Sequence, residues 1–218
     1  MPVPDANLVF LPGFMASAKS YATMLDPLGD RGIRVVTPQL YPRGLGALRG
    51  KHSVRQEAAD AAAVVRELAG RVYLAGHSRG GQAAWLAAGE IPELAGLFLL
   101  DPVDGQGRRP QQDLSTRVPS AFSGDACILG AGVTGPCAPV GANHEQFARA
   151  TPQAIHLLVA DLGHADMLDG RARSLGRRLC GGGKDPDEAR AVCTHLLADF
   201  VFGEIPAMGE HAGFRRLR

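Results

Sequence analysis

Apolar residues along this chain come in short unbroken runs, separated by stretches with helical spacing. Asn7–Leu11 (NLVFL) is one such run, closed by Pro12-Gly13, and it predicts a strand. From Ser17 to about Leu28 the spacing is helical behind a serine N-cap candidate. Ile33–Pro38 is β-branched and stopped by proline. Ser53, with Gln56 and Glu57 close behind it, opens a long Ala/Val helix to Leu68 that Gly70 ends. Arg71–Ala75 predicts a strand, Gly80 to about Ala88 an Ala-rich helix, and Leu97–Leu100 an apolar strand ended by Asp101-Pro102. Ala126–Leu129 and Ile155–Ala160 are the next two strands, and Ala189–Phe202 is a final amphipathic helix. Continuous apolar strands alternating with helices indicate an α/β domain, its mostly parallel sheet covered on both faces.

Composition narrows the picture. A chain of 218 residues suits one domain, 1–218, and is too short for two catalytic ones. With 23 basic and 22 acidic residues the net charge is +1, which gives no electrostatic case for nucleic acid. No apolar stretch approaches the ~18 residues of a membrane span. The opening MPVPDANLVFLPGF has no basic run before its apolar residues, so no signal peptide and a cytoplasmic location are expected. Peripheral membrane contact and oligomeric state stay open. Cys127, Cys137, Cys180 and Cys193 form no metal-ligand spacing, and no metal or other cofactor is expected. Small buried hydrophobes or free thiols are the simplest reading. If a disulfide forms, Cys180–Cys193 across GGGKDP is the expected pair, subject to its geometry.

In a parallel sheet the reactive groups lie at the carboxyl ends of the strands. The segment after the third strand, Gly76-His77-Ser78-Arg79-Gly80-Gly81, fits G-x-S-x-G between a strand and a helix. Such a turn holds a serine in a strained conformation at a helix N-terminus, and small neighbours let strand and helix pass closely. A serine needs a base. His156 lies in a strand, His195 in the last helix, and His52, His144 and His211 in connections; His77 packs under the elbow. Only His164 follows the last predicted strand. The oxyanion hole needs two backbone N–H groups, and the expected donors are Arg79 and Phe14. The acid should end a strand: Asp101 does, while Asp104 sits in a looser turn, Asp166 is two residues from His164, and Glu145 lies well downstream of its strand. Met15, Val103, Phe122, Met167 and Leu168 fall on loops at the same end, as candidates for an apolar substrate cleft or as filling beneath the loops. Asn143-His144-Glu145 is expected to start a helix. Arg108-Arg109 and the tail from Arg215 to Arg218 are expected to be solvated surface.

With these residues in place the chain resembles the chlorophyllase family. The matching runs are GHSRGG at 76–81, LLDPVDG at 99–105, CAPVGANHEQF at 137–147 and DLGHADMLD at 161–169, together with LPGF. The resemblance implies an α/β-hydrolase fold with a mostly parallel sheet of about six strands and no large cap. It implies a lipophilic ester substrate, the phytyl ester of chlorophyll, with Ser78 as nucleophile, His164 as base and Asp101 as acid. Two other readings compete. A broad carboxylesterase, lipase or polyester hydrolase would use the same residues, and a non-catalytic relative would only bind a ligand.

Overall fold

The computed structural model describes residues 6–40, 53–105, 114–205 and 214–218. A seven-stranded sheet, in the order β2-β1-β3-β4-β5-β6-β7, forms its centre. The strands are β1 (Ala6–Leu11), β2 (Ile33–Val36), β3 (Val72–His77), β4 (Gly96–Leu100), β5 (Ala126–Val133), β6 (Ile155–Gly163) and β7 (Phe214–Arg216). The first six pair in parallel, and β7 runs antiparallel to β6. The helices are α1 (Ala22–Asp30), α2 (Val54–Arg66), α3 (Arg79–Ala88), α4 (His144–Ala150), α5 (Gly170–Cys180) and α6 (Pro186–Phe202). Among the described residues no segment forms a large cap, and no helix is long and apolar enough to cross a membrane.

Successive strand residues face opposite sides of the sheet, so each apolar run feeds two cores. Leu8 and Phe10 of β1 point to the layer filled by α1 and α6, with Met24, Leu28, Leu196 and Leu197. Val9 and Leu11 point to the layer filled by α2, α3 and α4, with Ala61, Ala84 and Phe147. This two-sided burial is why the strands read as continuous apolar runs.

The structure departs from the sequence reading in three places. The sheet has seven strands, because the basic tail pairs with β6: Phe214 sits opposite Val159 and Arg216 opposite Leu157. The Arg218 carbonyl accepts from the His156 N–H, and its guanidinium donates to the Ala148 and Thr151 carbonyls at the end of α4. The tail is exposed, yet it is stitched to the sheet. Second, α5 precedes the final helix; its sequence is Gly- and Arg-rich, its Leu175 and Leu179 are exposed, and of its residues only Cys180 is buried. Third, the disulfide joins Cys137 to Cys180, with Cα atoms 5.1 Å apart. Cys193 is a buried free thiol on the inward face of α6, as is Cys127 on β5. Closeness in sequence misled here, because the β5–α4 connection is brought beside the end of α5 only by the fold. His52, His211 and Arg108-Arg109 lie outside the described residues.

Candidate active site

β3 ends at His77, and Ser78 follows with φ 56° and ψ −124° as the N-cap of α3. That left-handed backbone costs a non-glycine residue about 1–3 kcal/mol. Close packing enforces it. A methyl group on Gly76 would lie 2.3 Å from the Gly80 carbonyl oxygen, and one on Gly80 would lie 2.1 Å from the Leu11 carbonyl oxygen. The elbow is thus pressed against the end of β1, and both glycines are needed for that approach.

The β6–α5 loop brings His164 over the serine: its Nε2 lies 3.0 Å from Ser78 Oγ, and its Nδ1 lies 2.6 Å from Asp101 Oδ2. Asp101 directly follows β4 and is 1% exposed, with φ 38°. β5 overhangs the end of β4 by several residues, and the Ala131 N–H on that overhang donates to Asp101 Oδ1 at 3.1 Å. Burial pushes the Asp101 carboxyl up, but the His164 hydrogen bond and charge, with His144 and Ala131 behind them, hold it below the ordinary value. Asp101 is therefore a carboxylate, able to fix the proton on Nδ1 and leave Nε2 as the acceptor toward Ser78.

The other acids have different work. Asp104 accepts from Gln82, from the Ser115 and Thr116 amides and from the Thr116 hydroxyl, tying down the chain after residue 113. Asp166, fully buried, accepts from the Gly163 and Gly183 amides and pairs with Arg177, which staples the His164 loop to the turn after α5. Glu145 pairs with Arg149 on the surface of α4, whose N-cap is Asn143.

The β1–α1 loop abuts the serine. A methyl group on Gly13 would lie 3.3 Å from Ser78 Cβ, and the next two side chains, Phe14 and Met15, are 47% and 48% exposed. Met15 also has a positive φ, 62°. Of the apolar loop candidates, Met15 alone offers this much surface. Val103 and Phe122 are buried, Phe122 in the α2–α3–α4 core; Met167 is buried in the α1–α6 core, and Leu168 packs against it.

Two features escaped the sequence reading. The Arg79 guanidinium forms a bidentate pair with Glu57 of α2, at 2.8–3.0 Å, and both side chains are largely buried. Arg79 opens α3, and the sequence reading took from it only a backbone N–H, with no sign of which residue its side chain would meet. His77 hydrogen-bonds Tyr21 and the His164 backbone, and its signal was only that it sits next to the serine.

Comparison with known proteins gives the family and the fold. The family model for chlorophyllase matches residues 6–205. Chlorophyllase-1, chloroplastic, of Citrus sinensis is 28% identical over 230 residues, covering 90% of this chain and 69% of its own. Chlorophyllase-2 of Arabidopsis thaliana is 25% identical over 227 residues, covering 89% and 71%. A ferulic acid esterase from Streptomyces cinnamoneus superimposes on the whole chain and 75% of its own with a TM-score of 0.68 at 19% identity, which places this sheet in the α/β-hydrolase fold.

Proposed function

The chain belongs to the chlorophyllase family of serine-type carboxylic ester hydrolases, and from that premise we propose that it cleaves the phytyl ester of chlorophyll to chlorophyllide and phytol through a Ser78–His164–Asp101 triad. The observation that carries the reading is the continuous chain from Ser78 Oγ to His164 Nε2 at 3.0 Å and from His164 Nδ1 to Asp101 Oδ2 at 2.6 Å. Three side chains from three separate loops meet at distances that proton transfer requires.

In this mechanism His164 Nε2 takes the Ser78 proton as Oγ attacks the ester carbonyl. Asp101 holds the imidazolium that forms. The Arg79 amide, at the start of α3, and the Phe14 amide stabilise the oxyanion, where the helix dipole adds to them. The preceding Gly13 N–H donates to the Tyr21 hydroxyl at 2.9 Å. The alcohol leaves with the proton from His164, and water, activated by the same imidazole, releases the acid. The half-exposed Phe14 and Met15 beside the serine support a lipophilic substrate, since large apolar side chains at a reaction site are readily covered by a long-chain ester.

The test is purified protein assayed on chlorophyll a, pheophytin and short p-nitrophenyl esters side by side, with Ser78→Ala as control. Chlorophyllide release that Ser78→Ala lowers by about 10⁶-fold is the expected result. Cleavage of aryl esters alone, with both pigments untouched, assigns the site to a broader carboxylesterase, and activity that survives Ser78→Ala overturns the triad.

A further inference from the structure

Behind the triad runs a second line of hydrogen bonds that the reaction itself does not use. The Gly13 N–H donates to Tyr21 Oη at 2.9 Å; Tyr21 Oη lies 2.7 Å from His77 Nδ1; and His77 Nε2 lies 2.9 Å from the backbone carbonyl oxygen of His164. Chemistry fixes every direction in this line. A carbonyl only accepts, so His77 carries its proton on Nε2. A neutral ring then accepts at Nδ1, so the Tyr21 hydroxyl donates to it and uses a lone pair for Gly13. Tyr21 is fully buried, and His77 is 2% exposed. Burial, with His164 close by, pulls His77 down to about 3, so the ring keeps its neutral form across any working pH. The His77 ring also packs on the His164 ring, with centroids 4.7 Å apart and planes tilted by 39°.

This line joins three loops that must agree in position for acyl transfer. Gly13 precedes Phe14 in the β1–α1 loop, His77 precedes Ser78 at the elbow, and the bonded carbonyl belongs to His164 itself. We propose that Tyr21 and His77 are positioning residues that lock the oxyanion loop and the base loop to the nucleophile elbow, so that turnover depends on them although neither touches substrate. The inference rests on the triad reading above and adds to it the means by which the triad and the Phe14 amide are held in register. A shift of about 1 Å between such groups can cost about 10²-fold in rate. Two side chains thus span from residue 13 to residue 164.

The experiment measures p-nitrophenyl butyrate hydrolysis by Tyr21→Phe, His77→Gln, His77→Leu and the double variant Tyr21→Phe/His77→Leu. Active sites are first counted by labelling to completion with a fluorophosphonate. Tyr21→Phe removes one oxygen and keeps the ring that packs on Phe10. It is expected to leave the count of sites and KM within about twofold and to lower turnover per labelled site about tenfold to hundredfold. His77→Gln can still donate from its amide nitrogen to the His164 carbonyl, and is expected to retain more turnover than His77→Leu. The losses of Tyr21→Phe and His77→Leu are expected not to multiply in the double variant, because both break one line. Turnover per labelled site within twofold of the parent in Tyr21→Phe overturns the proposal. So does a fall in the count of sites with unchanged turnover per site, which is the mark of a structural role, and so do losses that multiply. If His77→Leu fails to fold, Tyr21→Phe and His77→Gln decide alone. Ser78→Ala separates the two levels: if it remains active, the triad reading itself fails, whereas a dead Ser78→Ala beside an unaffected Tyr21→Phe sinks only the positioning role.

Discussion

Glu57→Ala should destabilise this protein more than any ordinary surface change, and the reason lies in the geometry of its pair with Arg79. The carboxylate accepts from Arg79 Nε at 3.0 Å and from its terminal nitrogen at 2.8 Å. The side chains are 3% and 11% exposed. Truncating Glu57 leaves a guanidinium with little access to water, and breaking a buried pair in this way costs about 3–5 kcal/mol. For a chain of this size 1 kcal/mol moves Tm by about 2–4 °C, so a fall of about 6–20 °C is expected. Urea denaturation gives the free energy directly, provided the slope stays that of the parent. Arg79→Leu should cost a similar amount, because Glu57 is then the buried orphan. Glu57→Leu/Arg79→Leu, which removes both charges, should recover much of the loss, since no buried charge then remains to be desolvated. Single variants within 1 kcal/mol of the parent, or a double variant whose cost is the sum of the singles, would refute the argument.

Further outcomes follow from other groups. Asp101→Asn should lower turnover by about 10⁴-fold while Asp104→Asn and Asp166→Asn, measured as turnover per active site on folded protein, stay within about tenfold; equal losses in all three would show that the Asp101 contact is not special. Stability should fall as pH drops below 6.5: His77 at about 3 and His156 at about 4 are neutral when folded, so the unfolded chain binds more protons below the ordinary histidine value, and the stability present above pH 6.5 is lost toward pH 4. A denaturant midpoint that does not change between pH 7 and pH 4.5, with His77→Gln no flatter than the parent, would contradict this. Denatured but unreduced protein should show two reactive thiols, Cys127 and Cys193, and peptide mapping should join 137 to 180; a 180–193 linkage would contradict the structure.

The alternation of apolar runs and helical spacing made the first six strands legible: β1, β3, β4 and most of β5 are buried on both faces and read as unbroken apolar runs, while β2, an edge strand with Arg34 exposed, showed through its β-branched residues and the proline that stops them. The elbow was legible for a related reason: the glycines that its close packing demands are visible as letters. β7 was not. Three residues, two of them arginine, carry no strand pattern, and they pair only because β6 offers an edge beside the end of α4. The disulfide failed for want of distance information, since 43 residues separate cysteines whose Cα atoms lie 5.1 Å apart. Of the site, Ser78 was marked by G-x-S-x-G, and His164 and Asp101 by their places after predicted strands; the structure brings those three together. The Arg79–Glu57 pair and the Tyr21–His77 line could not be found that way, because a buried hydrogen bond across 22 or 56 residues leaves no periodicity behind it.

Three non-glycine residues carry a positive φ among those described, and all three surround the site: Met15, Ser78 and Asp101. Each follows the carboxyl end of a parallel strand, where the chain must turn sharply to hold a side chain above the sheet. The next strand along holds two of them. The Ser78 N–H donates to the Leu100 carbonyl at the end of β4, and the Asp101 N–H donates to the Leu129 carbonyl of β5 at 2.6 Å. The Val103 N–H then returns to the Ser78 carbonyl, so the turns after β3 and β4 brace each other. A strained residue held by one loop could relax by moving that loop, at a cost of a few kcal/mol at most. Relaxing Ser78 here would also break its bond to β4 and disturb Asp101, which β5 holds from the other side. The strain persists because neighbouring strands overdetermine it, and this ties the nucleophile and the acid to the most deeply buried part of the sheet.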